Sequence, residues 1–214
     1  CDPVYHTYDI GEATDCLNPS LIERTNQVIA AFTAANIKPT FATKLGHPST
    51  IKKLVDVQPN TARIRMSVAP VYLIKKLEVG SCKLEDRLAG IEEALAKGYE
   101  VHLNFSPVVV FPAWQEHYLD LFNYINKSLS TKAKEQLKCE VIFLTHNIKL
   151  HEENSRWWPS AENALWTPDN QEFKTNGRGS TVIRYQYRKK AAYSAEFKQL
   201  LEKVMPYCSI RYIF

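Results

Sequence analysis

The amino-acid sequence predicts an α/β fold with a parallel sheet, either an α/β barrel, complete or partial, or a doubly wound open sheet. Two observations carry this. Short β-prone runs alternate with helical periodicities five times in succession, and strands separated by a helix pair in parallel. The helical stretches are also punctuated at their ends, by Asn18-Pro19 at the head of one and Gly98 at the tail of another.

The elements follow in order. Residues 4–10 are β-prone and 11–15 form a polar loop; a helix then opens at Asn18-Pro19, with Leu21, Ile22, Val28, Ile29 and Phe32 at helical spacing. Strands are expected at 40–44, 63–67, 100–105 and 140–144, with helical segments at 49–57, 84–97 and 114–129 between them. Beyond residue 150 the character changes to Arg156-Trp157-Trp158-Pro159, Trp166 and a basic, aromatic stretch over 174–190. There Arg184, Gln186 and Arg188 alternate with Tyr185 and Tyr187 at strand period, which predicts a β-hairpin with a basic face. A helix over 194–204 and a strand over 209–214 close the chain, so the reading is a barrel-type domain over 1–150 and an appendage over 151–214.

A chain of 214 residues with 45% hydrophobic and 23% charged residues has the make-up of a soluble globular protein. Its longest apolar run, PVVVFPAW over 107–114, falls far short of the roughly 20 residues that cross a bilayer, so no membrane role is expected. The net charge of +4, from 27 basic and 23 acidic residues, is too mild to decide on polyanions. Five cysteines at 1, 16, 82, 139 and 208 form no CxxC or CxxxCxxC, which argues against a disulfide framework or a local cluster loop. Residues 1–11 lack the pattern of a secretory leader, and the expected setting is the reducing cytoplasm.

In either architecture ligands gather at the carboxyl ends of the strands. The loops there are 11–15, 44–48, 67–70, 106–110 and 145–147. Gly11-Glu12 offers a carboxylate to a cationic group, or is an ordinary turn; Asp15 suits the dipole of the coming helix. Lys44 suits a carboxylate or phosphate, or is a solvated lysine. The six histidines include no HxH or HExxH pair, so local spacing supports no zinc site. His102 reads as a core residue, while His47 and His146 are candidate proton carriers. The absence of GxSxG, Walker and GxGxxG motifs removes the usual serine hydrolase, P-loop and dinucleotide readings. The basic ribbon can hold phosphates and stack bases on tyrosine, or is a solvated hairpin.

Several pieces resemble one family in order and spacing: Thr14-Asp15, FATK (41–44) with His47 nearby, RIRMS (63–67), EVGS…LEDRL (78–88) and GYEVHLNFSPVVVFPAW (98–114). Gly177-Arg178, the Tyr185-x-Tyr187-Arg188 segment and the final Arg211-Tyr212 follow. Together they resemble the carboxyl two thirds of the spore photoproduct lyases, radical S-adenosylmethionine enzymes of DNA repair. The resemblance implies a partial (β/α)6 barrel lacking its first units. It implies that Thr14, Lys44, Ser67 and Ser106 contact S-adenosylmethionine, Lys44 pairing with its carboxylate. Glu12 resembles the carboxylate that takes the cofactor's amino group in the wider superfamily. Arg178, Arg184, Arg188 and Tyr185 fall where the family holds DNA around a flipped-out lesion.

Two departures qualify the match. The family's CxxxCxxC loop for a [4Fe-4S] cluster is not in this sequence, which places the cluster in a segment upstream of Cys1 or on a separate polypeptide. The family's hydrogen-donor cysteine is replaced, with Glu12 nearest its position and Cys16 the candidate substitute. The leading reading is therefore part of a lyase that repairs thymine photolesions in DNA, not active as this chain alone. The alternatives are a non-catalytic nucleic-acid-binding barrel and an iron-free barrel enzyme using His47 or His146.

Overall fold

The structure, a computed structural model, describes residues 6–11, 14–175, 179 and 181–214. The chain runs β1 (Thr7–Asp9), α1 (Ile22–Ala34), β2 (Lys38–Thr43), α2 (Pro48–Ile51), β3 (Arg63–Ser67), α3 (Val71–Leu77), α4 (Leu84–Ala96) and β4 (Glu100–Val108). It continues through α5 (Trp114–Ser128), α6 (Thr131–Gln136), β5 (Lys138–Phe143), β6 (Thr145–Asn147), α7 (Ile148–Trp157) and α8 (Pro159–Leu165). The hairpin β7 (Gln171–Thr175) and β8 (Thr181–Tyr185), then α9 (Tyr187–Val204) and β9 (Ser209–Ile213), complete it.

Six strands form one sheet in the order β1-β2-β3-β4-β5-β9, with every neighbouring pair parallel. The order never reverses, as it would at the switch point of a doubly wound sheet. The sheet is a half-barrel. A separate antiparallel sheet, β6-β8-β7, carries the hairpin.

Alternation along each strand gives the half-barrel two unlike faces. Phe41 on β2, Ile64 and Met66 on β3, Val101, Leu103 and Phe105 on β4, and Cys139, Val141 and Phe143 on β5 are all buried in the core. Phe105 packs edge-on against Phe122 of α5 and Phe197 of α9, with centroids 5.6 and 5.3 Å away, which places these helices over the apolar face. At Gly90 of α4 an added Cβ would lie 1.9 Å from the Gly46 carbonyl oxygen, so the helix seats against the loop after β2 only with a glycine there. Gly98 follows α4 with φ +91°, a left-handed conformation that closes the helix as the sequence predicts.

Several boundaries differ from the sequence reading: the helix expected over 49–57 ends at Ile51, and the one expected over 194–204 starts at Tyr187. α1 starts at Ile22, because Asn18 accepts hydrogen bonds from the Ser20 amide (3.1 Å) and hydroxyl (2.9 Å) and closes a turn instead of capping the helix. The 174–190 stretch is not strand throughout: β8 ends at Tyr185, and Arg188 lies in the first turn of α9. Five alternating residues imitate strand period there, but the Lys, Ala, Glu and Leu that follow are strong helix formers. Finally, the line drawn at residue 150 runs through both sheets. β9 pairs with β5, Phe197, Leu201 and Met205 enter the main core, and β6, ahead of that line, pairs with β8 beyond it.

Candidate functional site

The opposite face of the half-barrel is charged. Lys38, Arg63, Arg65, Glu100, His102, Asn104 and Glu140 alternate with the core residues and lie in register across β2 to β5. Glu100 accepts from Lys38 and from Arg63 Nε, both at 2.9 Å, and lies 2.8 Å from His102 Nε2. Burial pushes the Glu100 carboxyl up, but hydrogen bonds from His102, Lys38 and Arg63 outweigh it and hold the group well below the usual carboxylate range. Burial lowers the pKa of His102, against the opposing pull of its hydrogen bond to Glu100. Nδ1 is buried without a partner. Farther along, Glu140 (1% exposed) accepts from the Tyr212 hydroxyl at 2.6 Å, from Arg65 at 3.4 Å and from Arg211. Arg65 also reaches Asp9, so one chain of charges spans β1 to β9.

At the carboxyl ends of the strands a cavity of about 370 Å³ opens, lined by Lys44, Ala69, Leu73, Glu78, Pro107, Val109, Leu144 and neighbours. Its polar lining residues Glu78 and Ser81 are held from behind by Arg87, wholly buried on α4. That guanidinium donates to Glu78 (2.6 Å), the Ser81 hydroxyl (2.7 Å), and the carbonyls of Ser67 (3.0 Å) and Cys82 (2.9 Å). Glu78 in turn faces Lys44 at 3.7 Å. Asp15 fastens the loop after β1 to the end of β2 by accepting from the Thr43 hydroxyl and the Lys44 amide, both at 2.8 Å.

Of the residues singled out in the sequence, Lys44 lines this cavity. Ser67 is buried at the end of β3, 3.4 Å from Asn104 Nδ2; Ser106 is half-buried on β4, and Thr14 is exposed after β1. None of these three is among the cavity-lining residues. Cys16 is buried in the core with its thiol 3.6 Å from the Ile10 carbonyl. Burial, with Asp15 and Asp9 nearby, pushes this thiol up to about 11, so it stays protonated. Glu12 and Arg178 lie outside the described residues.

On the hairpin, Arg184 donates from Nε and Nη2 to Glu172 at 3.0 and 2.9 Å, and Arg188 is exposed. Tyr185 is not available for base stacking. Its ring is 1% exposed and packs against Phe143 and Tyr193, and its hydroxyl accepts from the Val110 amide at 2.8 Å. His47 caps α2 by accepting from the Ser49 amide at 3.1 Å. His102 is buried, but on the charged face and with Nδ1 unpartnered. The charged face and the His146–His151–Glu162 group went unread. The first had a signal, the alternation of charge in RIRMS and EVHLN; the second spans a strand and two helices and matches no local motif.

A parallel half-barrel with a charged inner face and a cavity at its strand ends defines a partial (β/α) barrel protein of the kind that carries ligands at the carboxyl edge. The chain belongs to the spore photoproduct lyase family, whose model matches residues 14–214. The spore photoproduct lyases of Bacillus subtilis and of a Geobacillus species are each 27% identical over 103 residues, 48% of this chain and 29% of theirs. A solved Cys-to-Ala variant of spore photoproduct lyase superposes with a TM-score of 0.86 at 18% identity, covering 100% of this chain and 63% of its own. A variant solved with AdoMet and the dinucleoside spore photoproduct gives 0.83 at 17% identity, with 97% and 61% covered. The chain thus spans less than two thirds of these relatives. Among the described residues no helix is long and apolar enough to cross a membrane.

Proposed function

We propose that this chain is the barrel portion of a spore photoproduct lyase-type radical S-adenosylmethionine enzyme acting on thymine photolesions in DNA. The observation that carries the reading is Lys44 on the wall of the strand-end cavity, its neighbour Glu78 already neutralised by Arg87. An incoming carboxylate meets a net cation there, which suits the methionyl carboxylate of S-adenosylmethionine. Asn104 Oδ1, buried without a partner beside Ser67, is an unused acceptor near the strand ends. Lys44 therefore fits the carboxylate of S-adenosylmethionine. Lys44 would hold its carboxylate; Thr14, Ser67, Ser106 and Glu12 enter as further contacts on the family resemblance alone. When bound, it supplies the adenosyl group for hydrogen abstraction.

A [4Fe-4S] cluster does not fit this chain's own residues. Cys16, Cys139 and Cys208 are buried, and among the described residues no three cysteines bring their sulfurs together. Cys16 would act as hydrogen-atom donor through the S–H bond that burial preserves. For DNA, the support lies at the start of α9. Arg188, Lys189 and Lys190 occupy the first turn with no acidic residue among them, close to Arg184. Cations at a helix amino terminus are mutually unfavourable and favour a phosphate. Burial and the nearby Arg184 lower the Lys190 pKa, a strain that an anion relieves.

The test is turnover by full-length protein with its iron reconstituted anaerobically, given reductant, S-adenosylmethionine and an oligonucleotide carrying the thymine photoproduct. Restored thymines and cofactor cleavage are expected. Iron-loaded protein that neither cleaves the cofactor nor binds the oligonucleotide would overturn the reading.

A further inference from the structure

Three side chains from three consecutive elements converge beside the small sheet. His146 on β6 lies with Nε2 2.6 Å from Glu162 Oε1, and His151 on α7 with Nδ1 2.5 Å from the same oxygen; Glu162 belongs to α8. All three donor atoms lie within 4.8 Å of one another. We infer that His146, His151 and Glu162 form a binding site for a divalent transition-metal cation of the zinc type, distinct from any cluster.

The donor set is the first reason. Two imidazole nitrogens and one carboxylate oxygen make the three-ligand sphere that holds Zn²⁺ with a position open to water. The second is the state of the carboxylate. Glu162 is 1% exposed, yet both contacts fall on Oε1, while Oε2 is buried without a partner. A buried carboxylate with one oxygen crowded and the other orphaned is under-satisfied as a plain hydrogen-bond acceptor. Zn²⁺ with bonds of 2.0–2.1 Å and tetrahedral angles holds its ligand atoms roughly 3.3 Å apart, so a small rotation of Glu162 admits the ion. The third is the support around the ligands. The His151 ring stacks on Trp166 at 4.1 Å and 19°, which fixes its plane, and the His146 ring stands edge-on to both. Side chains that lock ligand orientation are what a metal site requires beyond its ligands.

Leu144, two residues before His146, and Leu165, three after Glu162, both line the strand-end cavity. A cation here would pin α7 and α8 to β6 and so hold one wall of that cavity.

The experiment is titration of chelator-stripped protein with Zn²⁺ against a chromophoric competitor, alongside Glu162→Gln and His151→Phe. The second variant keeps a flat ring to stack on Trp166 but has no ligand nitrogen. Because thiols also take zinc, the readout is the difference between wild type and variant at equal fold content by circular dichroism. The expected difference is one equivalent of Zn²⁺, or an affinity lowered by roughly 100-fold or more at that site, since even outer-shell changes cost 10–100-fold. Co²⁺ should give the intense visible absorption of a tetrahedral site in wild type only. Equal zinc uptake by wild type and both folded variants would overturn the inference, as would a wild type that binds no zinc in the micromolar range.

Discussion

Replacing Glu140 with glutamine tests whether the charged face of the half-barrel holds the sheet together. The substitution keeps the shape of the side chain and removes the negative charge from between Arg65 and Arg211. The carboxylate is buried, accepts from the Tyr212 hydroxyl at 2.6 Å and from Arg65 at 3.4 Å, and links β3, β5 and β9. Removing one partner of a buried ion pair costs about 3–5 kcal/mol, because the remaining charge stays desolvated. Arg65 keeps Asp9, so the lower end, about 3 kcal/mol, is expected. For a chain of this size that lowers Tm by about 6–12 °C, at roughly 2–4 °C per kcal/mol. Asp9→Asn is the control: its side chain is 44% exposed, and the loss should stay below about 1 kcal/mol. Urea unfolding followed by circular dichroism, with thermal melts in parallel, measures both. A Glu140→Gln protein that melts within about 2 °C of wild type would refute the argument, because the network would then be no stronger than a surface pair.

The remaining predictions concern the cavity, the hairpin and pH. Lys44→Ala in the full-length protein should weaken S-adenosylmethionine binding about 10-fold, the loss of one charge-assisted bond of roughly 1.5 kcal/mol; unchanged affinity in equilibrium dialysis would place the carboxylate elsewhere. Arg184→Ala should lower the salt slope of oligonucleotide binding by about 1, whereas Tyr185→Phe should leave the slope alone and cost stability by about 1 kcal/mol through the lost bond to Val110. The reverse pattern would return Tyr185 to the interface. The folded-state pKa of His102 is lowered, so the unfolded chain binds its proton more readily; that stability is present above about 6.5 and drains away as pH falls below it. Glu100, also depressed, adds a second loss as pH falls below about 4.3. His102→Gln should flatten the upper limb of urea midpoints measured from pH 7 to 5, and an equally steep limb in the variant would sink the assignment.

How much of this was legible in the sequence depends on how local each cause is. β3 over Arg63–Ser67 and the end of α4 before Gly98 follow from residues adjacent in the chain, and both stand as read. The overrun of the hairpin to Arg188 and the misplaced head of α1 arose where a short pattern served two structures: five alternating residues, and an Asn that closes a turn as readily as it caps a helix. That strand pairing crosses the line drawn at residue 150 escaped notice for a different reason. Nothing local in SIRYI announces that it pairs with a strand some seventy residues earlier, as Lys138 and Ser209 do. Site residues divide the same way. Lys44 was visible because a strand end is a place defined by its neighbours, whereas Arg87, which neutralises Glu78 beside it, reaches across from a helix and reads in sequence as one more solvated arginine.

The choice between barrel and open sheet was nevertheless written in the strands. A doubly wound sheet is covered by helices on both faces, so its central strands are apolar throughout. Arg63, Arg65 and Ser67 in β3, answered by Glu100, His102 and Asn104 in β4, put ionisable or polar groups at every second position of the two central strands. Desolvating such a row beneath a second helix layer would cost several kcal/mol for each unpaired charge, so the row demands a face that closes on its own partners or on solvent. Only the concave side of a barrel offers that. The same argument explains why the charges pair among themselves, Lys38 and Arg63 with Glu100, and Arg65 with Asp9 and Glu140, while Asn104 Oδ1 near the strand ends is left without a partner.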